Sequence, residues 1–118
     1  MKVGDVRLNV SFFRTDSGAE PVRRWLKSLP AVHKKAIGED IKTVQFGWPL
    51  GMPLVEKIEP YLWEVRVKTP DGIARVLFTV DGHLMVLLHG FIKKTRRIPQ
   101  QELNTARSRL RQYQEAGS

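Results

Sequence analysis

The chain has no cysteine, which rules out a disulfide framework and a thiolate zinc site. Its three histidines, His33, His83 and His89, lie far apart and lack metal-ligand spacing. Acid is scarce: 12 Asp and Glu stand against 20 Lys and Arg, for a formal charge of +8 and a pI ≈ 10.2. No apolar run is long enough to cross a membrane, and the opening MKVGDVRLNVSFF has no apolar core of signal-peptide length. The expectation is a cytoplasmic protein with no membrane partner. Repeats, low-complexity tracts and linkers are also missing, so the 118 residues read as one domain, 1–118, with a single two-layer core.

What is abundant is cation, and it is unevenly placed. Residues 61–88 carry three cations and three acids, whereas residues 89–118 carry seven cations and two acids. A uniform solubilising coat would be spread evenly. An excess gathered in the last quarter favours a polyanionic partner. It begins at HGFIKKTRRIP (89–99), directly after the aliphatic run LMVLL.

Hydrophobic periodicity sets the elements. VRLNVSFF (6–13) reads as a first strand. Pro21 suits the first turn of a helix, on which Val22, Trp25, Leu26 and Leu29 form one apolar face before Pro30 ends it. A second helix runs from about residue 31 to 45, giving an antiparallel helical hairpin. Residues 46–60, punctuated by Gly and Pro, read as a surface connection tacked down by Trp48 and Leu50. YLWEVRVK (61–68) alternates, with Tyr61, Trp63, Val65 and Val67 facing one way and Glu64, Arg66 and Lys68 the other. TPDG is a turn, IARVLFTV (73–80) the returning strand, DG a second turn. HLMVLLHGFI (83–92) is a last strand, apolar on both faces and hence central. A terminal helix starts at Pro99, with Glu102 near its start and Arg107, Arg109 and Arg111 toward its end, as the helix dipole favours. The order β-α-α-β-β-β-α defines an α+β fold. A small, mainly antiparallel sheet carries an N-terminal helical hairpin on one face, and a C-terminal helix follows.

If the TPDG turn sets Lys68 opposite Ile73, then Arg66 faces Arg75 and Glu64 faces Leu77. Like charges directly opposite destabilise a hairpin, so the pair needs an anion between its members, or Glu64 and solvent, for relief. Arg75 interrupts an otherwise apolar strand, whereas Lys68 reads better as a residue of a solvated strand face. Lys93, Lys94, Arg96 and Arg97 form a cationic rim at the end of the neighbouring strand, with Phe91 placed to stack on a base. Together these residues outline a groove for a phosphate backbone, which arginine can clamp bidentately. His89 falls on the Arg75 face or on the opposite, core-facing one, depending on a single-residue change of register. His33 and His83 read as surface residues.

LWEVRVKTPDGIARVLFTV followed by LLHGFIKKTRRIPQQELNTARSRL resembles the HigB-like, phage-derived branch of the RelE/ParE toxins of bacterial type II toxin–antitoxin systems. The likeness rests on an ordered set. Residues 62–66 match a Leu-Trp-Glu-Val-Arg strand and 72–75 a Gly-x-x-Arg hairpin. Residues 88–95 match Leu-His-x-Phe-x-Lys-Lys-Thr, and 99–109 a Pro-led helix with Ala-x-x-Arg. The resemblance spans essentially the whole chain and implies a RelE-like fold. It also implies an endoribonuclease that cleaves mRNA on translating ribosomes until an antitoxin blocks it. That antitoxin would be a helix-turn-helix protein, through which the pair reaches operator DNA. Arg75 matches the family's strand arginine at the scissile phosphate, Arg66 a basic residue on the preceding strand, and Lys93 and Lys94 the basic residues after the last strand. The chain departs from RelE in having Glu64 where RelE has lysine and in lacking a tyrosine soon after Lys94. The RelE acid–base assignment therefore does not transfer, and Tyr113 lies too far along to replace it.

Such chemistry needs no metal or cofactor. The ribose 2′-OH attacks the adjacent phosphorus, leaving a 2′,3′-cyclic phosphate and a 5′-OH. Arg75 and Arg66 are placed to stabilise the phosphorane. Glu64 or His89 serves as base, and Lys94 holds the backbone or supplies a proton. Lys68, Phe91, Lys93, Arg96 and Arg97 bind the RNA. On this reading Arg75→Ala loses cleavage and keeps the fold. Two alternatives stay open: a ParE-like inhibitor of DNA gyrase, and a non-catalytic nucleic-acid-binding phage accessory protein.

Overall fold

A computed structural model describes residues 6–117. In chain order they form β1 (Asn9–Phe12), α1 (Pro21–Ser28), α2 (Ala31–Gly47), β2 (Val55–Glu59), β3 (Leu62–Thr69), β4 (Gly72–Asp81), β5 (Leu84–Lys93) and α3 (Gln100–Ala116). The five strands make one sheet in the order β1-β5-β4-β3-β2, antiparallel except for the parallel pair β1–β5. This is the small, mostly antiparallel α+β arrangement that the RelE-like pattern predicts.

The strongest alternation in the sequence becomes the longest ladder. Lys68 pairs with Ile73, Arg66 with Arg75 and Glu64 with Leu77, the register that the TPDG turn predicts. Even-numbered residues of β4 (Ala74, Val76, Phe78) pack with Val65, Val67 and Leu87 beneath Val22, Ile37, Ile41 and Val44 of the helical hairpin. Odd-numbered Leu77 faces the other way, with Leu62, Leu88 and Phe91 beneath Ala106 and Leu110 of α3. Helices cover both faces, so the sheet is the middle of three layers rather than one of two. The same covering explains why β5 is apolar on both faces from Leu84 to Leu88, although β4, not β5, is the middle strand.

Trp25 of α1 fixes the approach of the hairpin to β5. A Cβ at Gly90 would lie 2.3 Å from the indole ring, so the ring packs on bare backbone there. Trp48 tacks down the chain after α2 as predicted, meeting Trp63 edge-on at 5.3 Å and Phe78 at 5.8 Å. Such pairs add about 0.5–1.5 kcal/mol each beyond their burial. At the far end Tyr113 donates to Asp81 at 2.6 Å, tying α3 to the end of β4. Burial and that carboxylate push the phenol up to about 12.

Three readings of the sequence need correction. The connection 46–60 contains a strand, β2, whose Val55 is buried against the sheet; prolines at 53 and 60 bracket it and conceal its short alternation. Tyr61 does not join β3: at φ 66° it makes the β2–β3 turn and is 63% exposed. His33 is buried, not superficial, because the first turn of α2 lies over the β3–β4 turn and sets its Nε2 2.9 Å from Asp71 Oδ2. His83 is exposed between β4 and β5.

Candidate nucleic-acid interface

Arg66 and Arg75 are directly opposed on the α3 side of the sheet, and Glu64 relieves them. Arg75 Nη1 donates to Glu64 Oε1 at 3.0 Å, and Arg66 Nε lies 3.3 Å from the same oxygen. Glu64 is 1% exposed and Arg75 2%. Burial pushes the Glu64 carboxyl above its ordinary value, against the downward pull of Arg75 and Arg66. Arg66 keeps a quarter of its side chain in solvent.

The rest of the Arg75 guanidinium turns toward the segment after β5. Its Nη2 donates to the carbonyls of Thr95 and Arg96, at 2.5 and 2.9 Å. One buried cation thus joins β3, β4 and the backbone of residues 95 and 96. Held this way, Lys93, Lys94, Arg96 and Arg97 are all exposed. A further hydrogen bond, Thr95 Oγ1 to Arg97 O at 3.0 Å, closes the segment on itself.

Gly72 brings this segment against the β3–β4 turn. Its φ is 137°, and a Cβ there would lie 3.1 Å from Lys93 O and 3.3 Å from Lys94 Cγ. Gly72→Ala is therefore expected to cost about 1–3 kcal/mol, read as a lower urea midpoint with an unchanged slope. A midpoint equal to that of the parent would mean that the close approach is not required.

His89 lies on the Arg75 face. The register change occurs inside β5 rather than at its turn: Leu77 pairs with His89 but Phe78 with Leu87, leaving Leu88 as an extra residue. The imidazole meets α3, with Nε2 2.9 Å from Glu102 Oε1 and Nδ1 3.1 Å from Arg109 Nη1. Arginine can only donate, so Nδ1 accepts and the Nε2–H points at Glu102. Arg109 also donates to Leu88 O at 2.9 Å, and burial lowers its pKa. Phe91 is 6% exposed, with its ring 5.6 Å from the His89 ring; it packs in the core beneath α3.

The fold thus gathers two groups on one face of the sheet. Glu64, Arg66 and Arg75 are in contact and anchor the segment bearing Lys93, Lys94, Arg96 and Arg97. His89 joins Glu102 and Arg109 instead, among the described residues. Lys68 is exposed near the β3–β4 turn. Sequence reasoning had singled out neither Glu102 nor Arg109 as a site residue. Their spacing held the signal: seven apart, they share a helix face with Ala106, which the apolar pattern turns toward the sheet.

The arrangement is a basic, RelE-like α+β domain with an anchored cationic segment beside a carboxylate-oriented histidine. Residues 24–111 match the family model described as Phage derived protein Gp49-like (DUF891), and the chain belongs to that family. It is a RelE/toxin-like family, associated with the toxins of toxin–antitoxin systems. No curated protein matches the chain. Among the described residues no helix is long and apolar enough to cross a membrane.

Proposed function

We propose that the chain is the toxin of a HigB-like type II toxin–antitoxin pair. It cleaves mRNA on translating ribosomes in the cytoplasm until a helix-turn-helix antitoxin neutralises it, and it meets operator DNA only through that antitoxin. The observation that carries the reading is the anchored segment after β5. Its exposed cations stand at a fixed backbone position, on the edge of the surface that presents Arg66 and His89. Preorganised charge of this kind stabilises a phosphorane without reorganising during the reaction.

The roles follow from exposure. Arg66 and Lys94 reach the scissile phosphate; Lys68, Lys93, Arg96 and Arg97 hold the flanking backbone. Arg75 acts by positioning, because it is buried and both of its Nη atoms are committed, to Glu64 and to two carbonyls. Glu64, buried beneath the two arginines, neutralises them. His89 is the proton carrier and Glu102 its orienting partner. In the free protein both ring nitrogens are engaged, so the Arg109 contact yields when the 2′-OH is bound.

The test is to map RNA 5′ ends after brief induction in bacteria. New 5′-OH ends inside translated codons are expected. Growth arrest without such ends would sink the ribonuclease reading and point to gyrase or another target; neither arrest nor ends would leave a binding domain. A separate measurement addresses the cations. Exchanging Arg96 and Arg97 for Gln should lower the slope of log affinity against log salt for single-stranded RNA by about 1.4, at about 0.7 per phosphate contact. An unchanged slope would take both residues out of the interface.

A further inference from the structure

β2 stops short of the end of its partner. The β2–β3 ladder reaches Val65, and Leu54 O accepts the Arg66 N–H, whereas the β3–β4 ladder runs on to Thr69. Backbone groups two residues apart on a strand point the same way, so the Lys68 N–H and C=O also face outward. Among the described residues no strand lies beside them. A trough of about 490 Å³ opens there, with apolar walls from Ala36 and Leu54 and with Val67 at its floor. Arg66 and Lys68 form one rim; Glu39 and Asp40 of α2 form the other.

We infer that this edge receives a short extended segment of a partner protein, added as a strand against Lys68, with one acidic residue opposite Lys68 and apolar residues on either side of it. The acid pairs with Lys68 and reaches Arg66 diagonally. Its apolar neighbours point to the opposite side, onto Ala36, Leu54 and Val67. Charge excludes the other occupants. A second copy added antiparallel about Lys68 would set Lys68 against Lys68, a repelling pair. RNA held by Arg66 and Lys68 on the α3 side of the sheet would not enter the trough itself, where its backbone would run against Glu39 and Asp40 of α2. A peptide with a single acid meets neither obstacle. The inference is independent of RNA cleavage and extends beyond the proposed activity.

The test uses the full chain, labelled with ¹⁵N, and the peptide acetyl-Thr-Val-Glu-Val-Thr-amide at millimolar concentration. Saturable shifts are expected at residues 66–69 and 36–40, with the Lys68 amide moving downfield as it gains an acceptor. Methylating the glutamate nitrogen of the peptide removes the donor to Lys68 C=O and leaves the protein untouched. It should weaken binding at least tenfold, and so should exchanging that glutamate for lysine. No shifts at these residues, or equal binding by the N-methyl peptide, would overturn the proposal. So would self-association of the chain through this edge, or single-stranded RNA moving the amides of residues 36–40, which lie off the proposed RNA surface.

Discussion

Arg75→Ala is expected to destabilise the fold by about 3–5 kcal/mol, the usual loss when one partner of a buried ion pair is removed. The sequence alone suggested a variant that folds and merely fails to cleave. Burial changes that expectation, because the deletion leaves Glu64 in the interior and the carbonyls of Thr95 and Arg96 without their donor. A domain of this size has only about 5–15 kcal/mol to lose, so urea unfolding should move far. The loss also depends on pH. Burial already raises the folded-state pKa of Glu64 above its ordinary 4.5, and removing Arg75 raises it further. A carboxyl raised in the folded state contributes its full stability below the unfolded pKa and loses it as pH rises through the folded pKa. The variant should therefore be weakest at neutral and alkaline pH and recover on acidification below that range. Exchanging Glu64 for Leu and Arg75 for Met together should restore most of the stability. Amide exchange across 94–97 should nevertheless stay fast. A single Arg75→Ala variant within about 1 kcal/mol of the parent would refute the clamp.

His89→Gln is expected to lower RNA cleavage by about 10²–10⁴-fold, the range for losing a positioned acid or base, with RNA affinity held. Glutamine keeps a donor for Glu102 but cannot carry a proton at neutral pH. The measurement is single-turnover cleavage of the RNA that the 5′-end mapping identifies, beside direct binding. Glu102→Gln should fall between the two proteins and shift the pH profile of the rate, since it changes the group facing the Nε2–H. Unchanged cleavage in the His89 variant would leave the imidazole as a strut between β5 and α3.

The parts legible in the sequence were those written in local alternation. Leu62 through Phe78 fixes its own register, and from it the opposition of Arg66 and Arg75. Arg75 could also be read as exceptional, a charge inside an apolar strand. Its carbonyl partners could not be read, because Thr95 and Arg96 offer backbone oxygens, which every residue has, from twenty residues away. The bulge at Leu88 was hidden for a different reason. It falls within LMVLLHG, where apolar residues on both faces leave no alternation to interrupt. β2 was lost because its five residues lie in the short interval between Pro53 and Pro60.

The parallel pairing of β1 with β5 sets the order in which the fold can assemble. Asn9 lies beside Leu84, about 75 residues later in the chain, whereas β3, β4 and β5 meet through tight hairpins. The hairpins close first, on the microsecond scale of local contacts; the pairing that spans most of the chain carries the loop-closure entropy and slows the whole. During synthesis, Val10 and Phe12 wait without a neighbouring strand until residues 84–87 have left the ribosome. The cationic segment can gain its anchor only after that, since Thr95 and Arg96 are made later still.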